Sequence, residues 1–489
     1  MSSIDRREAR LDVRLVPVAL TCWAVTAAGI LWPVGGAAVA LLLAILATVA
    51  VACWVHGRSD GLRAGLREAA AGTVAVAVAG FGFAVAVSVR VDEVGHHPLT
   101  ARYGSVARVV VTPSETPRSV RGGRMMFRGA LHAVDADEMS GRVVVFTSAA
   151  ADGLTAGRPA AFDARITRPT RRDLTVAVLS ATGEPTLGEA APIDRAAQRV
   201  RTAFTEAARA ALPADQAAML PALVLGDTSA MTDRTAAEFR TAGLTHLTAV
   251  SGANVTIVCG AVLLSAVLVG PRLAVGMAAV ALVAFVIVVQ PSASVLRAAV
   301  MGAITLLAVL SHRRRQAIPA LSASVVALMI AAPELAVDIG FALSVSATAA
   351  LVVIAPAWSA RLVGKGWPKP LADAVSVAVA AQLVTAPLVA AISGSFSVVA
   401  VIANLLVAIV IPPITVLGTA AAALSVLWQD AASLVIRFTG PELWWLSTVA
   451  HHAARLPGAA VPVPAGALGV AVVGAAGLAA VLLCRRWVR

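Results

Sequence analysis

The sequence is poor in charge and in aromatic residues. Charged residues make up 13% of the 489 residues, aromatic residues make up 4%, and only one tyrosine is present. A soluble globular domain has about 25% charged and about 45–50% apolar residues. Here 59% of the residues are hydrophobic and the mean hydropathy is +0.84. The composition therefore excludes a soluble protein and indicates an integral membrane protein with many spans.

Cysteine is also scarce. The four cysteines, Cys22, Cys53, Cys259 and Cys484, lie in or beside apolar runs, and none belongs to a cluster with metal-ligand spacing. This excludes a disulfide framework, and we expect neither a metal nor a cofactor. The sequence also lacks a GxxxxGK loop, a GxSxG elbow and an HxHxDH cluster. We therefore expect that this chain does not use ATP and is not an enzyme.

Apolar runs occupy both ends of the sequence and are separated by a polar block from 91 to 240. A transmembrane helix needs about 20 apolar residues, so the runs predict about 12 spans. Further spans follow the first run directly, so we expect it to be a retained signal-anchor rather than a cleaved signal peptide. The runs are 15–31, 35–55, 69–89, 247–268, 273–290, 293–311, 317–332, 338–357, 372–392, 397–427, 432–450 and 464–484.

The net charge of +12 comes almost entirely from arginine. Basic residues cluster before the first run and in alternate loops, whereas the short loops 291–292, 333–337 and 393–396 contain none. Basic loops mark the cytoplasmic side of a membrane. We therefore predict a multi-pass protein of the inner or plasma membrane, with both termini cytoplasmic and the polar block outside. Orientation alone explains the loop charges, and a polyanionic substrate is the alternative explanation.

The first part of the outer block contains five short runs typical of β-strands. Each is rich in Val, Ile, Phe or Thr, and turn-forming residues separate them. Five strands fit a small barrel of the OB type, although a small sandwich gives the same pattern. OB barrels bind nucleic acid through basic grooves and aromatic side chains, so a nucleic-acid surface and a structural cap both remain open. The runs are 102–112, 125–134, 141–148, 158–167 and 174–181.

The second part of the outer block, 191–245, is expected to be helical. Apolar residues such as Phe204 and Ala208 recur with arginines at a spacing that predicts an amphipathic helix, on the outer leaflet or across a pore mouth. Pro213 should end this helix, and Thr232 or Asp233 should cap a later one that runs to Arg240. The candidate nucleic-acid contacts of the outer block are Arg121, Arg124, Arg128, Arg195 and Arg199.

Polar residues gather where the run 247–268 begins, namely His246, Ser251, Gly252 and Asn254. Polar groups at membrane depth are costly and usually line a cavity or a path. A helix that begins at Ser251 and Gly252 would present N–H groups to an anion such as phosphate. Asp227, shortly before, can cap a helix or bind a cation. Further candidates for such a path are Ser292, Ser294, Arg297, Gln382 and Asn404.

Several of these polar residues also have a purely structural explanation. Arg297 lies close enough to a helix end to extend its charge to the membrane interface. Gln382 and Asn404 can bond neighbouring helices. Asp338 is expected to cap a helix, and together with Glu334 it can repel nucleic acid rather than attract it.

Seven short segments between residues 225 and 406, in order along the chain, resemble the signature of the ComEC family of competence proteins. The resemblance covers residues 195–430, and the upstream spans and β-domain resemble the amino-terminal module of the family. It departs from many members at Asn254, where they have His, and at Ala342, where they have Gln. The motifs are Leu225-Gly226-Asp227, 239–247, 249–252, 291–301, 340–344, 381–387 and 403–406.

The resemblance implies a channel that carries single-stranded DNA into the cytoplasm during natural transformation. It also implies partners: membrane lipid, a DNA receptor outside, and a cytoplasmic helicase or translocase. Many members carry a carboxy-terminal metallo-β-lactamase-like domain that the sequence here does not show, so any nuclease is expected to be a separate chain. The oligomeric state is left open.

The sequence thus predicts a polytopic α-helical membrane protein of about 12 spans with an extracytoplasmic, OB-like small β-barrel. Its expected parts are membrane spans at 1–90, the β-domain at 91–190, interfacial helices at 191–245 and the channel domain at 246–489. Three alternatives to a DNA channel remain open. They are a transporter of a small molecule or envelope polymer, an intramembrane hydrolase that uses Ser251 and His246, and an envelope scaffold.

Overall fold

The computed structural model describes residues 12–56, 62–120, 123–148, 153–265, 270–311 and 316–487. The chain divides into two compact units, Met1–Asp194 with Ala303–Phe341, and Arg195–Gly302 with Ala342–Arg489. Each unit is described by itself.

The described residues form mainly α-helices, most of them apolar. The helices are α1 Val16–Leu31, α2 Gly36–His56, α3 Leu62–Gly95, α4 Pro192–Ala211, α5 Ala214–Leu225, α6 Asp233–Thr241, α7 Gly252–Ser265, α8 Pro271–Val289, α9 Ala293–Leu310, α10 Ala317–Ala331, α11 Ile339–Ala349, α12 Ala355–Gly364, α13 Lys369–Ser393, α14 Ala400–Val407, α15 Ile411–Leu424, α16 Gln429–Arg437, α17 Gly440–Arg455 and α18 Ala467–Trp487. The segment Ala350–Ile354 is a π-helical turn that joins α11 to α12.

The strands of the described residues form one six-stranded sheet and one short pair. They are β1 Val106–Pro113, β2 Arg118–Val120, β3 Arg124–Val134, β4 Asp137–Ser148, β5 Ala160–Thr167, β6 Ala177–Leu187, β7 Ser395–Ser397 and β8 Ala460–Pro462. Five of them close a barrel in the order β1-β5-β6-β4-β3, because β3 also pairs with β1. All the pairings in the barrel are antiparallel except that of β4 with β6.

The barrel forms because apolar residues alternate along its strands. In β1 every second residue is buried, and in β3 Phe127 and Leu131 are buried within the same core as Val109 and Val145. Such alternation turns one face of each strand toward the interior. Each of the five predicted strand runs overlaps one barrel strand, so the prediction of five strands is confirmed, although most of their bounds differ by a few residues. The three-residue β2, which pairs with the start of β3, was not predicted.

Three contacts of the first unit involve the segment Pro333–Val337 and the residue after it. Arg142 Nη1 lies 2.6 Å from Glu334 Oε1, and Arg128 Nη1 lies 3.8 Å from Asp338 Oδ2. Asp338 Oδ1 also accepts a hydrogen bond of 2.9 Å from the Phe341 N–H, as expected of a helix cap. The two carboxylates therefore neutralise arginines of the barrel, a pairing that the sequence did not indicate.

By length and composition, the described residues contain five helices able to cross a membrane. They are Ala71–Arg102, Arg272–Val289, Ala293–Leu310, Ile339–Gly364 and Lys369–Ser393, and α14 with α15 adds a sixth if this pair, bent by 55°, is one span. The figure of about 12 spans is not confirmed. Within the run 247–268 the structure describes the helix α7 up to Ser265, and the run 432–450 is divided between α16 and α17.

Gly129 marks a close approach between β3 and β1 where the barrel closes. A Cβ at this position would lie 2.6 Å from Val111 Cγ1 and 2.8 Å from the backbone oxygen of Thr112. Such distances are far below van der Waals contact, and a glycine inside a strand often marks such an approach. Barrel closure therefore requires glycine here.

We predict that Gly129→Val loosens the barrel at a cost of about 1–3 kcal/mol, because the added side chain overlaps the backbone of β1. Hydrogen exchange on the purified full chain should show faster exchange of the amides of β1 and β3. Ala130→Val is the matched control, since Ala130 is exposed on the same strand. Exchange in Gly129→Val as slow as in the control would contradict this account of closure.

Candidate functional site

Two polar side chains of the second unit, those of Asn254 and Arg201, bond the carboxyl end of α5. Gly226 ends α5 with a φ of +72°, the left-handed conformation that glycine adopts without strain. The last carbonyls of a helix lack partners within it. Asn254 Nδ2 donates to the Leu223 carbonyl over 3.1 Å, and Arg201 Nη1 donates to the Leu225 carbonyl over 3.4 Å. Two side chains distant in sequence thus cap one helix.

Asp227 forms an ion pair with Arg201. Its Oδ2 lies 3.1 Å from Arg201 Nη2, with side chains 19% and 5% exposed. Its Oδ1 accepts hydrogen bonds from the N–H and the hydroxyl of Ser229. The sequence suggested a helix cap or a cation ligand at Asp227. In the structure the cation that Asp227 binds is instead the guanidinium of Arg201.

Arg201 is a site residue that the sequence analysis missed. It shares a helical stripe with Ala197, Phe204 and Ala208, all of them buried, and its Nη1 also donates to the Val288 carbonyl over 3.1 Å. Burial lowers the pKa of the Arg201 guanidinium, and the charge of Asp227 partly offsets that shift. The sequence did contain one indication: Arg201 has the same helical spacing as the apolar residues of the buried face of α4. An arginine at such a position is expected to be buried and to need a partner of opposite charge.

A second arginine, Arg297, lies against the first residue of α7. Its side chain is 5% exposed, and its Nη2 is 2.7 Å from the position that a Cβ would take on Gly252. Its Nε donates to Ser344 Oγ over 2.9 Å, and its Nη1 lies 3.0 Å from the Met301 sulfur. The structure therefore brings together two predicted residues, Gly252 and Arg297, and adds Ser344.

Ser251 and Asn254 bond to each other beside this contact. Ser251 Oγ donates to Asn254 Oδ1 over 3.3 Å, and the Asn254 side chain is 5% exposed. The Asn254 amide thus donates at one end and accepts at the other, which a carboxylate in its place cannot do. The hydrogen bond described for the Ser251 hydroxyl leads to Asn254 and not to His246.

Asn404 supports the turn that precedes α7. Its Nδ2 donates to the carbonyls of Gly243, over 3.4 Å, and Ala400, over 2.8 Å. Gly243 has a φ of +72°, and a Cβ there would lie 2.4 Å from the Ala400 Cβ. Ser397 Oγ also donates to the Thr241 carbonyl over 2.7 Å. Asn404 thus bonds its own helix at Ala400 and the turn at Gly243, rather than a neighbouring helix as the sequence suggested.

The remaining predicted path residues lie apart from these contacts. His246 is exposed in the 3₁₀ turn Thr245–Leu247. Ser292 is exposed and its hydroxyl accepts from the Val295 N–H over 3.4 Å, while Ser294 is half-buried in the first turn of α9. Gln382 is half-buried in α13.

The predicted outer arginines have different surroundings. Arg124 is exposed with its guanidinium 5.4 Å from the centre of the Phe146 ring, and Arg128 pairs with Asp338. Arg195 and Arg199 are exposed on α4, where Arg199 Nε donates to the Arg195 carbonyl over 3.4 Å. Arg121 lies outside the described residues.

A hydrogen-bonded series of ionisable side chains near α6 was not predicted. Glu238 Oε1 lies 3.0 Å from His451 Nδ1 and 3.2 Å from Arg234 Nε, and Arg455 Nη1 lies 3.1 Å from His451 Nε2. Burial raises the pKa of Glu238, but hydrogen bonds from His451 and Arg234 outweigh burial and lower the pKa overall. Glu238 and His451 are 213 positions apart, so no local pattern could have indicated the pair.

Across the part of the chain that the structure describes, no three His, Cys, Asp or Glu side chains are grouped so as to hold a metal ion. The apolar helices and the closed five-stranded barrel define the class: an α-helical membrane protein that also contains a small β-barrel domain. The competence protein family matches residues 223–488, more than half of the chain. The chain therefore belongs to the competence protein family. Searches of curated proteins and of solved structures give no match.

We predict that Arg201→Ala lowers the free energy of unfolding by about 3–5 kcal/mol, because it leaves Asp227 as an unpaired, largely buried charge. The measurement is thermal unfolding of the purified protein in detergent. Arg209→Ala is the control, since Arg209 is exposed on the same helix. The double variant Arg201→Met with Asp227→Asn should lose less than the sum of the two single variants. Equal unfolding of Arg201→Ala and Arg209→Ala would contradict a structural ion pair.

Proposed function

We propose that this protein is an inner-membrane channel through which one strand of DNA enters the cytoplasm during natural transformation. The observation that carries the proposal is the family match over 223–488, which contains Asp227, Gly252, Asn254 and Arg297. Membership in the competence protein family connects the chain with DNA uptake. Passage of a single strand, rather than another role in uptake, is our inference.

We further infer that the barrel is of the OB type and faces the cell exterior. Numbered along the chain without β2, the strands close in the order 1-2-3-5-4-1, and the third and fifth run parallel. Five strands in a closed barrel with this mixed pairing support the OB assignment. The exterior position rests on the distribution of basic loops in the sequence.

Among the outer arginines, Arg124 is the strongest candidate for contact with DNA. Arg102, Arg118 and Arg128 each pair with a carboxylate of the same unit, which reduces their attraction for phosphate. Arg124 instead lies over Phe146, and an arginine beside an aromatic ring is a common surface for unpaired bases. Arg195 and Arg199, exposed on α4, are further candidates.

The other functions considered have less support from the site. A hydrolase built on Ser251 needs a base that bonds its hydroxyl, and the hydroxyl donates to Asn254 instead. A carrier of another substrate remains the competing proposal for the same path. We propose that a DNA receptor delivers the strand, that a cytoplasmic helicase or translocase draws it in, and that a separate nuclease removes the other strand.

The proposal predicts that deletion of the gene abolishes internalisation of labelled DNA while DNA binding at the cell surface persists. The measurement is the fraction of label protected from added nuclease, in cells complemented with wild type or Ser251→Leu. Ser251→Leu should fall to the level of the deletion strain, because a bulky side chain enters the half-buried start of α7.

The matched control is Val280→Ala on α8, where the side chain is 71% exposed. It should restore internalisation fully. Internalisation by the deletion strain equal to that of wild type would overturn the DNA-channel proposal and favour a carrier of another substrate.

A further inference from the structure

We propose that Arg297, together with the first N–H groups of α7, binds one phosphodiester group of the passing strand. This inference rests on the proposed function, since it names the part of the path that meets the DNA backbone. The ligand chemistry is a single tetrahedral anion held between a guanidinium and a helix amino terminus.

Arg297 is buried without a counter-charge. Among the described residues only two charged side chains are buried, Arg201 and Arg297. Arg201 has Asp227 at 3.1 Å, whereas no carboxylate of the described residues lies within ion-pair distance of Arg297. An isolated buried charge is strongly unfavourable unless a partner of opposite sign accompanies it. The comparison indicates that the partner of Arg297 is a ligand.

The hydrogen-bond donors of Arg297 are also incompletely used. A guanidinium has five N–H donors. One is bonded to the Ser344 hydroxyl, and another faces the Met301 thioether, a weak acceptor. The Nη2 group faces Gly252 instead. Donors of Nη1 and Nη2 therefore remain for the forked contact that arginine makes with a phosphate.

Gly252 places a helix amino terminus beside that guanidinium. The first N–H groups of a helix have no partner within it and carry partial positive charge. In α7 the Asn254 N–H donates to the Ser251 carbonyl over 3.1 Å, so the N–H groups of Gly252 and Ala253 are the ones that a ligand would meet. Neither α7 nor α9 has an acidic residue in its first turn. Any Cβ at position 252 would displace the Arg297 guanidinium. The absence of that Cβ lets two anion-binding elements share one ligand.

The position of Arg297 fits a path rather than a membrane interface. An arginine that extends to the interface keeps its charged group exposed, and Arg297 is 5% exposed. Ser251 and Gly252 at the start of α7 are half-buried, and Ser292, just before α9, is exposed.

The test measures binding of a fluorescent oligothymidine to the full-length protein in nanodiscs of zwitterionic lipid, across a range of salt concentrations. We expect Arg297→Gln to weaken binding about tenfold or more and to reduce the salt dependence by about 0.7 in log–log slope, the value for one phosphate contact on a single strand. Arg297→Lys should retain most of that slope, and Lys369→Gln, an exposed cation of the same unit, should leave it unchanged.

Two further arms separate the DNA backbone from other ligands. An oligonucleotide with uncharged methylphosphonate linkages should bind wild type and Arg297→Gln equally. Nanodiscs that contain anionic lipid should not change the effect of Arg297→Gln on the charged strand. Gly252→Ala, which keeps the charge but moves the guanidinium, should weaken binding in the same direction as Arg297→Gln.

An unchanged salt slope in Arg297→Gln would overturn the phosphate site. So would an effect that appears only with anionic lipid, because the ligand would then be a lipid headgroup. Binding and uptake are measured separately, so the two proposals can fail separately. If Arg297→Gln reduces the salt slope of binding but deletion of the gene does not impair internalisation, the phosphate site stands and the channel proposal fails.

Discussion

The satisfaction of polar groups inside an apolar fold is the constraint on which the second unit depends. Where water is excluded, an unpaired carbonyl or charge costs several kcal/mol. This requirement is met at the end of α5. Asn254 and Arg201 donate hydrogen bonds to the last carbonyls of the helix, and Asp227 neutralises the arginine. These contacts join α4, α5 and α7 through side chains rather than through apolar packing alone. These three residues thus act as a scaffold, and Asn254 connects it to the start of α7 near Gly252.

Glycine gives that scaffold its close approaches. Gly243 allows Ala400 to lie against the turn before α7, and Gly418 allows α15 to lie against Val224 of α5, where a Cβ would be 2.4 Å from the nearest side-chain atom in each case. Small residues let helix backbones approach closely when apolar packing alone provides little specificity. The turn, α14, α15 and α5 are therefore held at fixed distances. The amino end of α7 is held in turn, because Asn254 bonds to α5.

The sequence predicted those features that depend on local pattern. Runs rich in Val, Ile, Phe or Thr between turn-forming residues located all five barrel strands, and Asp338 was correctly predicted as a cap. The span count was not confirmed, because hydropathy measures the length of an apolar run. It does not detect the break that divides the run 432–450 between α16 and α17, or the bend between α14 and α15. The pairing of Glu238 with His451 joins residues far apart in sequence, which periodicity cannot detect. The pair of Arg201 and Asp227 is an intermediate case. The helical spacing of Arg201 with buried residues indicated that it is buried, but no local pattern indicated its partner.

A path for a polyanion needs sites that bind and also release. Two arginines of equal burial differ in this respect. Arg201 is held permanently by Asp227 and by carbonyl groups, so its charge is not available to a moving strand. Arg297 has a hydroxyl and a thioether as partners, which compensate the burial of its charge only in part. Because conduction requires binding that is favourable but weak, a cation with partial internal satisfaction suits successive phosphates better than one that is fully exposed or fully paired. If the proposed function holds, the neutral Ser344 beside Arg297, in place of a carboxylate, leaves the charge of the arginine available to a phosphate.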